Sequence, residues 1–353
     1  MIKLPLADTT QLETVAVLKA AAKAHRYLAE LKGVSASIPN ESILINTLSL
    51  QEAKDSSEVE NIITTHDELY KAGLSDHTDN PAAKEVQDYA IALKEGFNNI
   101  RQHRIIRLND ILVIQQIMEK NNAGLRKVSG TELKNIATGE VVFTPPQDAR
   151  EIEALMDNLV NYINDDQQDD YDPLIKMAII HHQFESIHPF YDGNGRTGRI
   201  INILYLVAQG LLDIPVLYLS RYIIRNKADY YRLLQETRDS QQWQPWLLFM
   251  LEGIAQTSQQ TIILIQKIKQ LMLQYKHGIR EQLPKAYRQE LINNLFTHPY
   301  TKIEFMMNEL SVSRITATKY LEQLVEHGYL HKEKIGRSNY YINQPLFILL
   351  SEQ

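Results

Sequence analysis

The sequence of 353 residues contains no cysteine. This absence excludes disulfide bonds, thiolate zinc sites, iron–sulfur clusters and a cysteine nucleophile. Long apolar runs are also missing: no stretch approaches the roughly 18 to 20 apolar residues of a membrane span, and the first residues lack the apolar segment of a signal peptide. We therefore expect a cytoplasmic protein without a membrane partner.

The chain also lacks a large excess of charge of either sign, since its net charge is −6. This balance argues against a protein that coats nucleic acid with its whole surface, but it leaves room for a local basic module. Hydrophobic residues make up 44% of the chain and charged residues 23%, as in ordinary globular proteins. The length is sufficient for two or three domains.

Strand signals are few, and apolar residues recur mostly at helical spacing as far as about residue 275. The pattern predicts helices over residues 9–32, 41–72, 81–122, 148–165, 173–187 and 255–282. Gly33 is the expected end of the first helix. The segment TGEVVFTPP, 138–146, instead predicts a short β-hairpin, because two prolines end its β-branched and aromatic run. The expected fold class is mainly helical with a short hairpin.

The pattern changes after Pro284, where helix, short helix, turn, helix and two strands follow in the order of a winged helix-turn-helix. Residues 284–345 carry eight Lys and Arg and six Glu, an excess of two positive charges. Arg314 and Lys319 lie on the expected recognition helix. The expected wing carries Lys332, Lys334 and Arg337. The small excess leaves DNA binding and protein docking open for this module.

The segment HPFYDGNGRTGR, residues 188–199, concentrates a histidine, an acid, three glycines and two arginines in a dozen positions. A hairpin turn would need a strand on each side, and a dinucleotide fingerprint would need a preceding strand. Helical patterns lie on both sides instead. The context therefore favours a third interpretation, a loop that binds a polyphosphate.

The chemistry of this loop suits an anion. Gly193 and Gly195 remove Cβ atoms from a loop that enters a helix, so that backbone N–H groups converge where the helix dipole is positive. Arg196 and Arg199 are three residues apart on that helix, so both guanidinium groups reach the same phosphate tail. We call residues 193–199 the phosphate cradle.

Two further residues of the segment supply the chemistry of group transfer. Asp192 offers a hard oxygen ligand for a Mg²⁺ that already carries phosphates. His188, with an ordinary pKa of about 6.5, suits a general base for a hydroxyl nucleophile near neutral pH. The combination indicates phosphoryl or nucleotidyl transfer.

At every fixed position the segment matches H-x-F-x-[DE]-G-N-G-R-x-x-R, the signature of Fic proteins. The resemblance extends over most of the chain through ELKGVSASIPN, LSLQEAKDSSEVENI, TTHDELY and TGEVVFTPP. It implies a nucleotidyltransferase that moves AMP from ATP, with Mg²⁺, to a Ser, Thr or Tyr hydroxyl of a target protein. The target is another protein or the chain itself.

The resemblance also implies a role for each motif residue. His188 corresponds to the base and Asp192 to the Mg²⁺ ligand. The anion hole corresponds to Gly193, Asn194 and Gly195, and the β- and γ-phosphates are bound by Arg196 and Arg199.

Two other segments resemble regulatory and docking parts of the family. SSEVEN, 56–61, matches the inhibitory pattern [ST]-x-x-x-E-[GN] through Ser56, Glu60 and Asn61, and implies that Glu60 pairs with Arg199 in place of the γ-phosphate. The hairpin corresponds to the family's flap, which adds a target segment as a neighbouring strand. Its docking residues are Val141, Val142, Phe143 and Thr144. From residue types alone, an ordinary surface hairpin stays open.

We therefore expect an N-terminal helical region over 1–110 with an inhibitory helix around 56–61, a catalytic core over 111–282 and a winged helix over 284–353. The rival function is a DNA-binding regulator whose core only senses nucleotide. Within the enzyme class, another nucleotide or the removal of AMP is also open. An intact His188 favours the enzyme, because sensing ATP needs no base. The oligomeric state stays open, with a homodimer among the alternatives.

Overall fold

The structure is a computed structural model that describes residues 3–6, 9, 12–73, 80–134, 138–165, 170–335 and 338–352. Within these ranges the chain is mainly helical, as predicted, with two small antiparallel sheets. The helices before residue 283 are α1 (Val15–Ser35), α2 (Glu41–Val59), α3 (His66–Ala72), α4 (Pro81–His103), α5 (Leu108–Glu119), α6 (Ala149–Asn164), α7 (Pro173–Ile187), α8 (Asn194–Ala208), α9 (Leu219–Arg225), α10 (Lys227–Ser240) and α11 (Gln244–Gln282).

Helix α7 has the bounds that the sequence predicts, because its start is encoded locally. The Asp172 side chain accepts the N–H of Leu174, and Pro173 occupies the first helical position, where no N–H is needed. The helix is buried along its whole length and packs against α8. The motif loop, residues 188–193, joins the end of α7 to the start of α8.

The predicted helix over 41–72 is wrong in one respect that matters for the site. The chain leaves helical geometry after Val59, and Asn61 adopts a positive φ of 63°. Helix α3 starts afresh behind Thr65, whose side chain forms a capping box with Glu68. The segment 56–61 is therefore a helix end, and Glu60 lies just beyond the last helical residue.

Other predicted boundaries shift for similar reasons. Helix α1 passes through Gly33 and ends at Ser35. The helix predicted over 81–122 divides into α4 and α5, because Arg104 adopts a left-handed conformation with φ 57°. Helix α11 begins at Gln244, well before the predicted residue 255, and packs along α1.

The hairpin consists of β1 (Leu133–Lys134) paired antiparallel with β2 (Val141–Phe143). Among the described residues β2 pairs with β1 alone, so its other edge is open. No helix in the described ranges is both long and apolar enough to cross a membrane.

The region after residue 284 contains α12 (Gln289–Thr297), β3 (Tyr300–Thr301), α13 (Ile303–Leu310), α14 (Arg314–Glu326), β4 (His331–Ile335), β5 (Ser338–Ile342) and α15 (Gln344–Ser351). Its sheet has the order β3-β5-β4. The region packs on α2 and α11, and Tyr300 stacks on Tyr70 of α3 with ring centres 5.7 Å apart. The Tyr300 hydroxyl also donates to Asp67 at 2.6 Å.

Candidate functional site

The motif loop is held by its own side chains. Asn194 accepts the N–H of Phe190 at 2.8 Å and donates to the Phe190 carbonyl at 2.9 Å, while the Phe190 ring is fully buried. Asp192 accepts the N–H of Gly193 at 2.7 Å and is otherwise exposed. The loop thus begins α8 in a defined geometry, with Gly193 in the left-handed region at φ 77°.

His188 is the C-cap residue of α7 and the first residue of the motif loop, and it is partly buried. Its backbone has φ 48°, and its N–H donates to the Phe184 carbonyl at 3.0 Å. Burial lowers the pKa of the imidazole to about 4, and the nearby charges of Arg126 and Arg238 act in the same direction. His188 is therefore neutral near pH 7 and keeps a lone pair that can accept a proton.

The two cradle glycines each lie against a carboxylate. A Cβ atom on Gly195 would collide with Oε1 of Glu60, and a Cβ on Gly193 would collide with Oε1 of Glu119. The missing side chains therefore let anionic groups approach the start of α8, where the helix dipole favours negative charge.

Arg199 is bound to the end of α2. Its Nη2 donates to Oε1 of Glu60 at 2.7 Å and to the Ser56 carbonyl at 2.9 Å, and its Nε donates to the Ser56 hydroxyl at 2.8 Å. The Arg199 side chain is 1% exposed. Asn61 is directed elsewhere, since its side chain accepts from Lys227 at 2.9 Å. The fold thus brings Ser56, Glu60 and Arg199 together over 139 to 143 positions of sequence separation.

Arg196 is bound to two other acids. Its Nη2 donates to Oε1 of Glu119 at 2.7 Å, and its Nη1 donates to Glu85 at 3.3 Å. Burial raises the pKa of Glu119, while the charge of Arg196 opposes that rise. The sequence analysis did not identify Glu119 as part of the site. The sole indication is its position, since an acid in the last turn of a helix is disfavoured by the helix dipole.

Arg126 is a second residue that sequence reasoning missed. It is 1% exposed and donates from Nε to the His188 carbonyl at 2.7 Å and from Nη2 to the Pro146 carbonyl at 2.9 Å. Its own N–H donates to the Pro189 carbonyl at 2.8 Å. Arg126 therefore ties the end of the hairpin to the motif loop.

The hairpin presents the predicted docking residues at the surface. Val141 and Val142 are 48% and 46% exposed, and Thr144 is also exposed. Phe143 is half-buried, with the Arg238 guanidinium 4.3 Å from its ring centre. A cavity of about 530 Å³ lies between the hairpin and helices α7 and α10. The end of strand β2, at Phe143, therefore lines this cavity.

The other histidines near the motif serve packing. His181 bonds to the Tyr230 hydroxyl at 2.9 Å and stacks on Trp246, while His182 lies against Trp243 and the Leu234 carbonyl. The described part of the chain holds no group of three His, Asp or Glu side chains placed to bind a metal.

Part of the basic surface after residue 284 is already paired. Arg314 lies 3.2 Å from Glu304, and Lys332 lies 2.6 Å from Glu322. Arg337, predicted to contact phosphates from the wing, lies outside the described residues.

Comparison with known families gives three matches. Residues 18–98 match the N-terminal region of the Fic/DOC family, and residues 59–206 match the Fic/DOC family itself. Together these two matches span more than half of the chain. Residues 271–346 match the C-terminal domain of SoFic-like protein adenylyltransferases.

Two curated relatives have adenylyltransferase names. Protein adenylyltransferase fic-1 of Caenorhabditis elegans is 32% identical over 129 residues, which are 36% of this chain and 24% of the relative. A probable protein adenylyltransferase of Aquifex aeolicus is 28% identical over 199 residues, which are 55% of this chain and 57% of the relative. The matched segment thus spans about a quarter to a little over half of these relatives.

Solved structures show the same fold at low identity. A Fic family protein from Desulfovibrio desulfuricans aligns with a TM-score of 0.60 at 18% identity, covering 94% of this chain and 96% of that chain. Fic-1 from Caenorhabditis elegans aligns with a TM-score of 0.53 at 18% identity, covering 71% of this chain and 73% of that chain.

Proposed function

Because the chain belongs to the Fic/DOC family, we propose that it is a protein adenylyltransferase that moves AMP from ATP to a hydroxyl side chain of a target protein. The observation that carries this proposal is the motif loop together with the first turns of α8. A neutral histidine, an exposed carboxylate and a glycine-lined helix start with two arginines lie together within residues 188–199.

In the proposed reaction, His188 accepts the proton of the target hydroxyl while its oxygen forms a bond to the α-phosphorus of ATP. The bond from the α-phosphorus to the oxygen of the β-phosphate breaks, and pyrophosphate leaves. Burial keeps His188 in the neutral form that accepts a proton, although its lowered pKa makes it a weaker base than a free imidazole. The hydrogen bond to Phe184 together with Arg126 fixes its position.

The cradle holds the phosphates in this proposal. The N–H groups at the start of α8 and the guanidinium groups of Arg196 and Arg199 offset their negative charge. Asn194 keeps the loop open in the required shape through its two bonds to Phe190. The residues fit a Mg²⁺ that arrives on ATP, because Asp192 would supply one exposed carboxylate to an ion that also carries phosphate and water oxygens. The ion would neutralise charge on the leaving pyrophosphate.

We further propose that Glu60 inhibits the enzyme. Its carboxylate binds the Nη2 of Arg199 and lies against Gly195, so it occupies the place where the terminal phosphate would meet this arginine. The Glu60 side chain can leave without unwinding α2, because it is 33% exposed and Glu60 lies beyond the last helical residue. Without Arg199, the α-phosphate loses the anchor that aligns it with His188.

The hairpin is the proposed docking site for the target. The open edge of β2 pairs with an extended target segment, and the exposed Val141 and Val142 contact its side chains. Backbone pairing requires little of the target sequence, so it aligns a hydroxyl with His188 in several sequence contexts.

We assign the region after residue 284 to the winged helix class, on the order of α12, α13 and α14 and the sheet β3-β5-β4. Arg314 and Lys332 each lie beside a glutamate, and residues 284–345 as a whole carry an excess of only two positive charges to attract DNA phosphates. This favours docking to a protein over binding to DNA.

The test is incubation of the Glu60→Gly protein with α-labelled ATP and Mg²⁺, with candidate targets and alone. Covalent label on a protein, lost in the matched Glu60→Gly, His188→Ala variant, supports adenylyl transfer. γ-Labelled ATP serves as a control, because adenylyl transfer leaves its label in pyrophosphate. Label from the γ-phosphate on protein would identify a kinase instead.

A further inference from the structure

The two arginines of the cradle are held by different elements. Arg199 binds Glu60, which lies beyond the end of α2, whereas Arg196 binds Glu119, the last residue of α5. Helix α5 packs against α4, α6 and α8, so Glu119 is fixed relative to the cradle. Glu119 thus belongs to the last turn of its helix, whereas Glu60 lies one residue beyond the end of α2.

The two arginines also differ in which donors are used. Arg199 donates from Nε and Nη2 to Ser56 and Glu60, so both donors on the Nε–Nη2 edge of its guanidinium group are occupied. Arg196 donates from Nη2 to Glu119 and from Nη1 to Glu85. Its buried Nε has no hydrogen-bond acceptor within the described part of the chain. Arg196 as a whole is 4% exposed. A buried donor without a partner beside an anion site indicates that a ligand completes it.

We propose that Glu119 is a positioning residue that holds Arg196 through Nη2 and leaves Nε as the donor for a nucleotide phosphate. The inference rests on the proposed adenylyl transfer, and it gives Glu119 the opposite effect to Glu60. Both carboxylates contact a glycine of the phosphate cradle. Glu60 prevents Arg199 from binding a phosphate, whereas Glu119 orients Arg196 to bind one. A buried, long side chain keeps one conformation only when its charge is paired, and Glu119 is the closest acid that does so.

The experiment compares Glu119→Gln and Glu85→Gln, each in the Glu60→Gly background. Both changes remove one carboxylate from Arg196 without altering side-chain size. Glu85 is the matched control because its side chain is 45% exposed and its contact is longer, so its loss has a small effect. The measurements are KM and kcat for ATP in the transfer assay and Kd for Mg·ATP by calorimetry.

We expect Glu119→Gln to raise KM and Kd on the order of 10- to 100-fold, as when an orienting partner of a ligand-binding group is lost. Glu119→Asp retains the charge with a shorter reach and should recover part of that loss. A charge-independent structural role would instead make Asp at least as harmful as Gln. Melting temperatures without nucleotide show whether each variant is folded.

Equal or tighter ATP binding by the folded Glu119→Gln variant would overturn the inference, because it would make Glu119 a second inhibitor or a bystander. An equally large effect of Glu85→Gln would also overturn it, since the effect would then be one of total charge. If Glu60→Gly binds Mg·ATP but transfers no AMP, the proposed function fails, while the Kd comparison still tests Glu119.

Discussion

Replacing Glu60 by glycine is the most direct perturbation of the proposed inhibition. Arg199 is buried, with its side chain 1% exposed, and Glu60 supplies its charged acceptor at 2.7 Å. A hydrogen bond to a charged group is worth about 1.5–3 kcal/mol. Because the Glu60 side chain is 33% exposed, solvent screening favours the lower part of that range, about 1.5–2 kcal/mol. Without nucleotide, Glu60→Gly should therefore melt a few degrees below the wild type.

Once Glu60 is removed, the hydrogen-bond donors of Arg199 become available to ATP. If Arg199 transfers its donors to the γ-phosphate, about 1.5–3 kcal/mol of alignment is recovered, which corresponds to roughly a 10- to 150-fold rise in kcat/KM. Mg·ATP should also raise the melting temperature of Glu60→Gly more than that of the wild type. Calorimetry, thermal melts and transfer rates measured on the same preparations test the three consequences together.

The decisive comparison adds Arg199→Ala. This change relieves the pairing but also removes the anchor, so Arg199→Ala alone and the double variant with Glu60→Gly should both stay slow. Glu58→Gly is a matched control, since Glu58 lies two residues earlier and pairs with Lys54. A double variant as fast as Glu60→Gly would refute the reasoning, because activation would then not act through Arg199.

Three further predictions concern His188, Glu52 and the region after residue 284. His188→Ala should lower transfer by about 10²- to 10⁴-fold while calorimetry finds Mg·ATP binding largely unchanged, because other residues hold the phosphates; equal loss of binding would contradict this division. Burial raises the pKa of Glu52 on α2 from 4.5 to about 8. The protonated carboxyl therefore stabilises the folded state fully below pH 4.5, and this contribution to the free energy of unfolding is lost as the pH rises from 4.5 through 8. The loss is about 1.4 kcal/mol per pH unit. Glu52→Gln should flatten that decline in urea unfolding between pH 5 and 8, and an unchanged slope would show that the group is already ionised. For the C-terminal region, the full chain should not retard duplex DNA at low salt, and a salt-sensitive shift that Arg314→Glu weakens would favour the DNA-binding alternative.

The sequence by itself determined the features that depend on neighbouring residues. The motif loop and the first turns of α8 carry the base, the acid, the glycines and the arginines within residues 188–199, so no fold is needed to bring them together. The start of α7 is local as well, because Asp172 and Pro173 are adjacent to the turn that they cap. Helical periodicity likewise predicted a mainly helical chain.

The tertiary structure alone decided what surrounds that loop. Glu119 meets Arg196 across 77 positions and Arg126 meets His188 across 62, and neither pairing has a spacing that periodicity can detect. The end of α2 is a similar case, because periodicity continued through 41–72 while the chain breaks after Val59 and Glu60 turns toward Arg199. The physical reason is common to all three: a buried guanidinium must find acceptors wherever the packed helices place them, and that requirement depends on the whole fold rather than on the neighbouring sequence.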